Sequence, residues 1–317
     1  MKPQRICIVG GSGFVGRHLT ARLARDGHQL RVLTRHRERH RELLVLPTLE
    51  LLECNVHDEE ALRQAFKGCD VVINLVGILN EKGHNGKGFR RAHVELTQKV
   101  IQACKARGIT RLLHMSALGA DAVHGPSFYQ RSKGEGEQAV KDSGLDFTCF
   151  RPSVIFGPDD SFFNRFAGLL RLIPLVFPLA GFQARFAPVY IGDVVEAFAR
   201  SLSERTTIGQ CYNLCGPKAY TLQDLVRFTA RKIGVTRWIL GLPGWAAYLQ
   251  ARMMELVPGK PLSRDNLNSM KRDNVCEGEF PAIFGIRPAS IEAVVPDYLQ
   301  PRHGRATYTA LRREARR

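Results

Sequence analysis

No apolar stretch in this 317-residue chain runs unbroken for the roughly 20 residues that a membrane-spanning helix needs. The best candidate, Phe166 to Phe182, is interrupted by Arg171, Pro174 and Pro178. The eight cysteines (7, 54, 69, 104, 149, 211, 215 and 276) form no Cys-x-x-Cys pair and share no metal-ligand spacing with histidine. No metal site is therefore expected. Most of these cysteines lie inside apolar runs, which reads as small core residues in a reducing compartment. The first apolar run begins almost at Met1, which leaves no room for a signal or transit peptide. There is no internal repeat and no low-complexity segment. The expectation is a soluble, cytoplasmic protein.

Acidic residues are also in short supply. Thirty Asp and Glu face 46 Lys and Arg, a formal net charge of +16. One basic cluster is Arg35-His36-Arg37-Glu38-Arg39-His40-Arg41; another is the tail, where Arg302, Arg305, Arg312, Arg313, Arg316 and Arg317 accompany a single Glu314. Two readings stay open: a solubilising surface with a frayed terminus, or attraction to an anionic membrane or an acidic partner. The second would place the protein peripherally at the inner face of a membrane. No basic stripe with interleaved aromatics is present, so nucleic-acid recognition is not expected.

What the chain does have is a glycine cradle. Gly10-Gly11-Ser12-Gly13-Phe14-Val15-Gly16 follows an apolar run (Ile6, Cys7, Ile8, Val9) and precedes a helical pattern marked by Leu19 and Leu23. Strand, glycine turn and helix N-terminus together make a diphosphate site. The first glycine permits the turn, the second admits the backbone amides to the diphosphate, and the third packs helix on strand. Beyond it, apolar runs near 4–9, 29–34, 49–54, 70–76, 111–116 and 146–151 alternate with helical patterns near 14–26, 58–67, 89–107 and 127–142. Near-continuous apolar strands such as Val71 to Val76 predict a parallel sheet covered on both faces. After Pro152 the pattern breaks into short pieces, followed by helical segments near 194–202, 222–233, 245–256 and 264–271. The fold class is therefore α/β: a Rossmann-type doubly wound parallel sheet with a smaller, mostly helical C-terminal lobe. The expected division gives residues 1–160 to a nucleotide-binding core, to which 185–215 return. Residues 161–184 and 216–300 form the smaller substrate or partner lobe, and 301–317 a basic tail.

In such a fold the end of the second strand faces the adenosine ribose, where a carboxylate would select NAD. Here the strand ends Thr34-Arg35, and no acid appears before Glu38. Arginine matches a phosphate bidentately, so NADP(H) is expected over NAD(H), with Arg17 as a second candidate for the phosphate. After the third strand, Asn55 and Val56 fall at the adenine pocket, while Asp58 suits a helix N-cap. Tyr129 and Lys133 form a Tyr-x-x-x-Lys pair on one helix face, where the ammonium favours the phenolate. Ser116 ends the fifth strand at the edge where ligands sit, placed to hold a substrate carbonyl while Tyr129 exchanges the proton.

With these residues in place the chain resembles an extended or atypical member of the short-chain dehydrogenase/reductase family, similar to epimerases and dehydratases. The resemblance rests on Gly10-x-x-Gly13-x-x-Gly16, Asn74-Leu75-Val76-Gly77, Ser116, Tyr129-x-x-x-Lys133, Arg151 to Pro158, Val189 to Val194 and Tyr212 to Pro217. Asp159 to Phe166 and Pro261 to Asn266 are similar to a narrower group, relatives of the nucleotide-binding accessory subunit of respiratory complex I (NADH:ubiquinone oxidoreductase) and of coenzyme Q biosynthesis proteins. The resemblance implies that Gly10, Ser12, Gly13, Phe14, Val15 and Gly16 border the diphosphate and Arg35 the 2′-phosphate. It places Gly77 and Lys133 by the nicotinamide ribose, and Pro152, Ser153 and Val154 by the carboxamide. Ser116, Tyr129 and Lys133 take the catalytic positions. Two departures stand out: His93, where many relatives place asparagine and which is expected to face the cofactor, and Ala117, where a second hydroxyl is common. Two functions follow. One is an NADP(H)-dependent oxidoreductase or epimerase acting on a small molecule, quinone-like or isoprenoid. The other is a non-catalytic NADPH-binding assembly, stability or redox-sensing partner of a membrane complex. The apolar stretches Leu169–Phe182 and Trp238–Leu256 read either as core or as an isoprenoid pocket or docking face.

Overall fold

The computed structural model describes residues 3–299, so the basic tail lies outside the described residues. Six strands, β1 (Arg5–Val9), β2 (Gln29–Thr34), β3 (Leu49–Glu53), β4 (Val71–Asn74), β5 (Arg111–Met115) and β6 (Asp146–Pro152), alternate with helices. These are α1 (Phe14–Arg25), α2 (Glu59–Ala65), α3 (Lys87–Arg90), α4 (Leu96–Ala106) and α5 (Phe128–Lys141). There follow β7 (Ile155–Phe156), α6 (Phe163–Leu172), β8 (Val176–Leu179), β9 (Arg185–Phe186), β10 (Val189–Tyr190), α7 (Ile191–Ser201) and β11 (Gln210–Leu214). The chain continues through β12 (Tyr220–Thr221), α8 (Leu222–Lys232), β13 (Trp238–Gly241), α9 (Gly244–Met254), α10 (Arg264–Ser269) and α11 (Ile291–Leu299).

Seven strands make one sheet in the order β3-β2-β1-β4-β5-β6-β11, every pair parallel. Alternation within β1 shows why the sheet must be covered twice. Ile6 and Ile8 pack with Leu19 and Leu23 of α1 and Val194 and Phe198 of α7. Cys7 and Val9 face the other way, into Leu62 of α2, Leu96 and Val100 of α4 and Val140 of α5. All four are fully buried, as a strand with helices on both faces requires. Strand order reverses between β1 and β4, opening a crevice at the carboxyl ends of the strands.

Two elements differ from the sequence pattern. β4 stops at Asn74, whose side-chain oxygen accepts from the Val76 amide at 3.2 Å; the Leu75 amide makes the last bond to β1, at the Val9 carbonyl. The long helical pattern near 89–107 is interrupted by a wide π turn at Arg91–Glu95, so α4 proper starts at Leu96.

The C-terminal elements build a separate apolar cluster, in which Phe163, Leu170 and Phe177 meet Leu225, Phe228 and Val295. The stretch from Leu169 to Phe182 is divided: Leu170, Phe177, Leu179 and Ala180 are buried, while Leu172, Leu175 and Val176 are exposed. In the stretch from Trp238 to Leu256 only Ala247 and Ala251 of α9 are buried. No helix among the described residues is long and apolar enough to cross a membrane.

The cysteine expectation needs correction. Cys215 and Cys276 are joined by a disulfide, 61 residues apart in sequence. Ala187 explains the meeting: its carbonyl accepts from the Gly216 amide at 3.1 Å and its amide donates to the Asn274 carbonyl at 3.0 Å. A pair brought together through a third segment leaves no spacing signal. Cys7, Cys54, Cys104 and Cys149 are buried, while Cys69 and Cys211 are half-buried.

A tight joint lies at Gly16, where an added Cβ would lie 2.4 Å from Gly11 Cα and 2.5 Å from the Gly10 carbonyl oxygen. Gly16→Ala is expected to destabilise the protein by about 1–3 kcal/mol through backbone displacement. Urea denaturation measures this, and an unchanged midpoint would contradict the close packing of α1.

Candidate active site

The diphosphate cradle is built from backbone. Gly10 sits at φ +85°, a conformation that glycine adopts without strain, and its carbonyl accepts from the Gly13 amide at 3.1 Å. Gly13 is the N-cap of α1, with no side chain bonded there and no acid in the first turn. The amides of the first turn and the positive end of the helix are left for an anion. Ser12, Phe14 and Val15 line this turn half-exposed. An anionic diphosphate therefore fits the donor set that the chain supplies.

At the end of β2, Thr34 is buried, while Arg35 is exposed and makes no ion pair with any described residue. Around the neighbouring His57, burial lowers the imidazole, and the positive charges of Arg91, Lys99 and Arg35 lower it further. This cluster of cations includes Arg91, on the π turn, which the sequence reading missed. Arg17 instead lies 3.6 Å from Asp159 and 4.0 Å from Glu42. Asn55 is exposed and Val56 half-buried beyond β3, with the Asn55 side chain accepting from the His57 amide at 3.1 Å. Asp58 caps α2, accepting from the amides of Glu60 and Ala61.

The catalytic candidates gather above β4 and β5. Lys133 is buried and donates from Nζ to the Met115 carbonyl at 3.1 Å, immediately beside Ser116. An added Cβ on Gly77 would stand 3.0 Å from that ammonium, so only glycine lets the loop after β4 approach so closely. The Ser116 hydroxyl is buried and makes no well-formed hydrogen bond, though it lies near enough to the Glu137 carboxylate to help lower it. A buried hydroxyl without a full partner costs free energy unless something arrives to satisfy it. The Tyr129 ring stands edge-on to His93 at 5.5 Å and to Phe89 at 6.0 Å.

Electrostatics correct one expectation. Burial pushes the Tyr129 phenol up to about 12 rather than down, and the Lys133 ammonium is turned to the Met115 carbonyl. Burial also brings Lys133 down to about 8. Burial thus drives both groups towards their neutral forms. His93 is a second correction, because it offers no nitrogen to a cofactor. Its Nε2 accepts from the Ile78 amide at 3.0 Å, which leaves Nδ1–H to donate to Ser132 Oγ at 2.8 Å. Ser132 in turn donates to the Tyr129 carbonyl at 3.0 Å. Burial, with Lys133 and His114 nearby, lowers this imidazole to about 2, so it is a neutral strut.

Three further residues shape the site. Glu137, one turn beyond Lys133, is buried against Arg151, with Oε2 2.8 Å from the Arg151 Nε, and against Lys141 at 2.7 Å. Burial alone would raise its carboxyl, but these hydrogen bonds hold it at about 2. Its i+4 spacing from Lys133 was a readable signal. Asp265 of α10 accepts from the Phe128 amide at 2.7 Å and the Tyr129 amide at 3.1 Å, capping α5 from a distant part of the chain. Asn274 accepts from Ser153 Oγ at 2.6 Å and donates to the Leu118 carbonyl at 3.2 Å. The segment Pro152, Ser153 and Val154 is also knitted through backbone: Leu118 donates to Pro152, Ser153 to Leu214 and Val189 to Val154. Nothing local in sequence points to Asp265 or Asn274.

Comparison with known proteins agrees with this geometry. Residues 10–161 match the family described as NAD(P)H-binding. The chain is 28% identical over 292 residues to the mitochondrial NADH dehydrogenase [ubiquinone] 1 alpha subcomplex subunit 9 of Rattus norvegicus, covering 90% of this chain and 77% of that protein. It is 29% identical over 247 residues to a ceramide reductase of Caulobacter vibrioides, covering 75% and 73%. In fold it is similar to the dTDP-glucose 4,6-dehydratase DesIV of Streptomyces venezuelae, solved with NAD bound, at a TM-score of 0.73 and 18% identity over 93% of this chain and 95% of that one.

The depressed Lys133 ammonium carries a stability consequence. Its folded value of about 8 lies below the unfolded 10.5, so below pH 8 the fold bears the full cost of a buried charge, on the order of 3 kcal/mol. Between pH 8 and 10.5 the unfolded chain binds more protons, and stability rises with pH. Lys133→Met is therefore expected to melt higher than the parent at pH 7, with the gain shrinking towards pH 10. A pH-independent difference in differential scanning calorimetry would contradict the assignment.

Proposed function

We propose that the chain, whose residues 10–161 match the NAD(P)H-binding family, is an NADP(H)-dependent oxidoreductase of the short-chain type. The buried Ser116 hydroxyl carries this reading, because it makes no well-formed hydrogen bond and stands beside Lys133 at the carboxyl edge of the sheet, where a substrate oxygen would complete it. Bound nicotinamide would supply or accept the hydride. Ser116 donates a hydrogen bond to the substrate oxygen, and Tyr129 gives or takes the proton there. Lys133, released from the Met115 carbonyl, holds the nicotinamide ribose near Gly77 and favours the phenolate of Tyr129. Gly10, Ser12, Gly13, Phe14, Val15 and Gly16 hold the diphosphate, and Asn55 and Val56 border the adenine. Pro152, Ser153 and Val154 border the carboxamide. Thr34 and Arg35, with Arg91 nearby, receive a 2′-phosphate, which supports NADP(H) over NAD(H).

Residues 161–184 and 216–300 then cover the crevice as the substrate lobe. An apolar substrate of the quinone or isoprenoid kind is favoured by the likeness to a lipid-modifying reductase and to a subunit of a ubiquinone-linked complex. That second likeness also favours another reading, a subunit of a membrane complex that holds NADPH without turning it over. The Tyr129 phenol, raised by burial, also supports it.

NADPH oxidation with short-chain quinones separates the two. Tyr129→Phe is expected to lower turnover about 100-fold or more with nucleotide binding retained; equal inertness of parent and variant, with nucleotide still bound, would favour the non-catalytic reading. Arg35→Ala is expected to weaken NADPH by about 10-fold or more while leaving NADH nearly unchanged. Equal losses in calorimetric titration would remove the 2′-phosphate assignment.

A further inference from the structure

We propose that the face formed by β8, β13 and α9 seats this protein on an anionic lipid bilayer. The chain has two tryptophans, and both stand on this face: Trp238 is 78% exposed and Trp245 75%. Aromatic residues of this size are ordinarily among the most buried on average. β13 pairs in parallel with β8, with Trp238 opposite Val176 and Leu240 opposite Pro178. The alternate residues Phe177 and Ile239 join the core cluster, so this two-stranded sheet is apolar on both sides. Its outer side has no covering layer among the described residues.

α9 extends the same surface. Trp245, Leu249, Met253 and, just past the helix, Leu256 recur at three- and four-residue spacing and are all exposed, while Ala247 and Ala251 face inward. The helix is fixed to the sheet, with Gln250 donating to the Pro178 carbonyl at 3.0 Å and the Leu242 amide to the Leu179 carbonyl at 3.0 Å. These bonds hold the exposed side of α9 close to the two-stranded sheet.

Charge decides what covers it. Residues 161–184 and 236–256 carry Arg165, Arg171, Arg237 and Arg252, and their one acid, Glu255, is turned inward to pair with Arg264 at 3.1 Å. Arg171 and Arg252 are exposed at the margin of the patch. A second copy meeting this face about a two-fold axis would set the same arginines against one another. An interfacial bilayer site takes this composition: apolar side chains at the acyl boundary, tryptophan at the headgroup level, and arginine against anionic lipid. The chain's excess of +16 adds long-range attraction to such a surface. The inference is independent of nucleotide binding and turnover.

The two tryptophans make the test direct. The full chain is titrated with vesicles of phosphatidylglycerol and phosphatidylcholine, and with phosphatidylcholine alone, while tryptophan emission and quenching by brominated acyl chains are recorded. A blue shift and quenching with the anionic vesicles, weakened by salt, are expected. Leu249→Glu/Met253→Glu, at exposed positions, is expected to lower partitioning about 10-fold or more, with melting temperature and NADPH affinity unchanged. No shift with anionic vesicles would overturn the proposal. So would sedimentation showing a dimer in which both tryptophans are already shielded from acrylamide.

Discussion

A backbone contact organises the carboxyl edge of this protein. α1 touches the turn before it so closely that Gly16 has no room for a methyl group, and Gly10 turns at a positive φ beneath it. Because neither residue can carry a side chain, the helix starts directly over the end of β1 with its first amides unclaimed. Every other candidate group is measured from that start. Thr34 and Arg35 close β2, Asn55 follows β3, Gly77 follows β4, Ser116 follows β5, and Pro152 ends β6. Parallel pairing brings these positions to one rim without any pairwise attraction between them.

Above that rim the chemistry is set by dryness. Lys133, His93, His114 and Glu137 are all buried around α5. Only Glu137 keeps its charge comfortably, since Arg151 and Lys141 both bind it. The histidines stay neutral, His114 at about 3, mainly through burial and then through the ammonium nearby. Burial thus loosens the hold of Lys133 on its proton and keeps the Tyr129 phenol far from ionising. Anionic diphosphate and ribose hydroxyls are the kind of neighbours that would reverse both tendencies.

The sheet and its helices were legible because a doubly covered strand leaves an unmistakable apolar run. The register of β1, β2 and β5 follows the sequence pattern to within a residue or two. The glycine turn and the Tyr129/Lys133 spacing were equally readable, being local. What the pattern hid was long-range or three-dimensional. The Cys215–Cys276 bond depends on Ala187 holding both segments. The π turn at Arg91–Glu95 adds one residue to a helical repeat, a change that composition does not register. The direction of the Tyr129 shift is set by burial, and spacing alone suggested the opposite. The apolar run from Trp238 onward looked the same as a core segment in one dimension, and only its missing neighbours show otherwise.

The hydrogen bonds from α5 to Asp265 join two parts of the chain that composition kept apart. Asp265 lies 136 residues beyond Tyr129, yet it terminates the helix on which that tyrosine rides. Asn274 makes a comparable splice to Ser153 on the opposite wall. A natural or engineered polypeptide ending soon after β11 would retain the glycine cradle while both splices vanished. Gripping a dinucleotide and aligning the phenol above it are therefore separable traits, the latter resting on the last third of the chain.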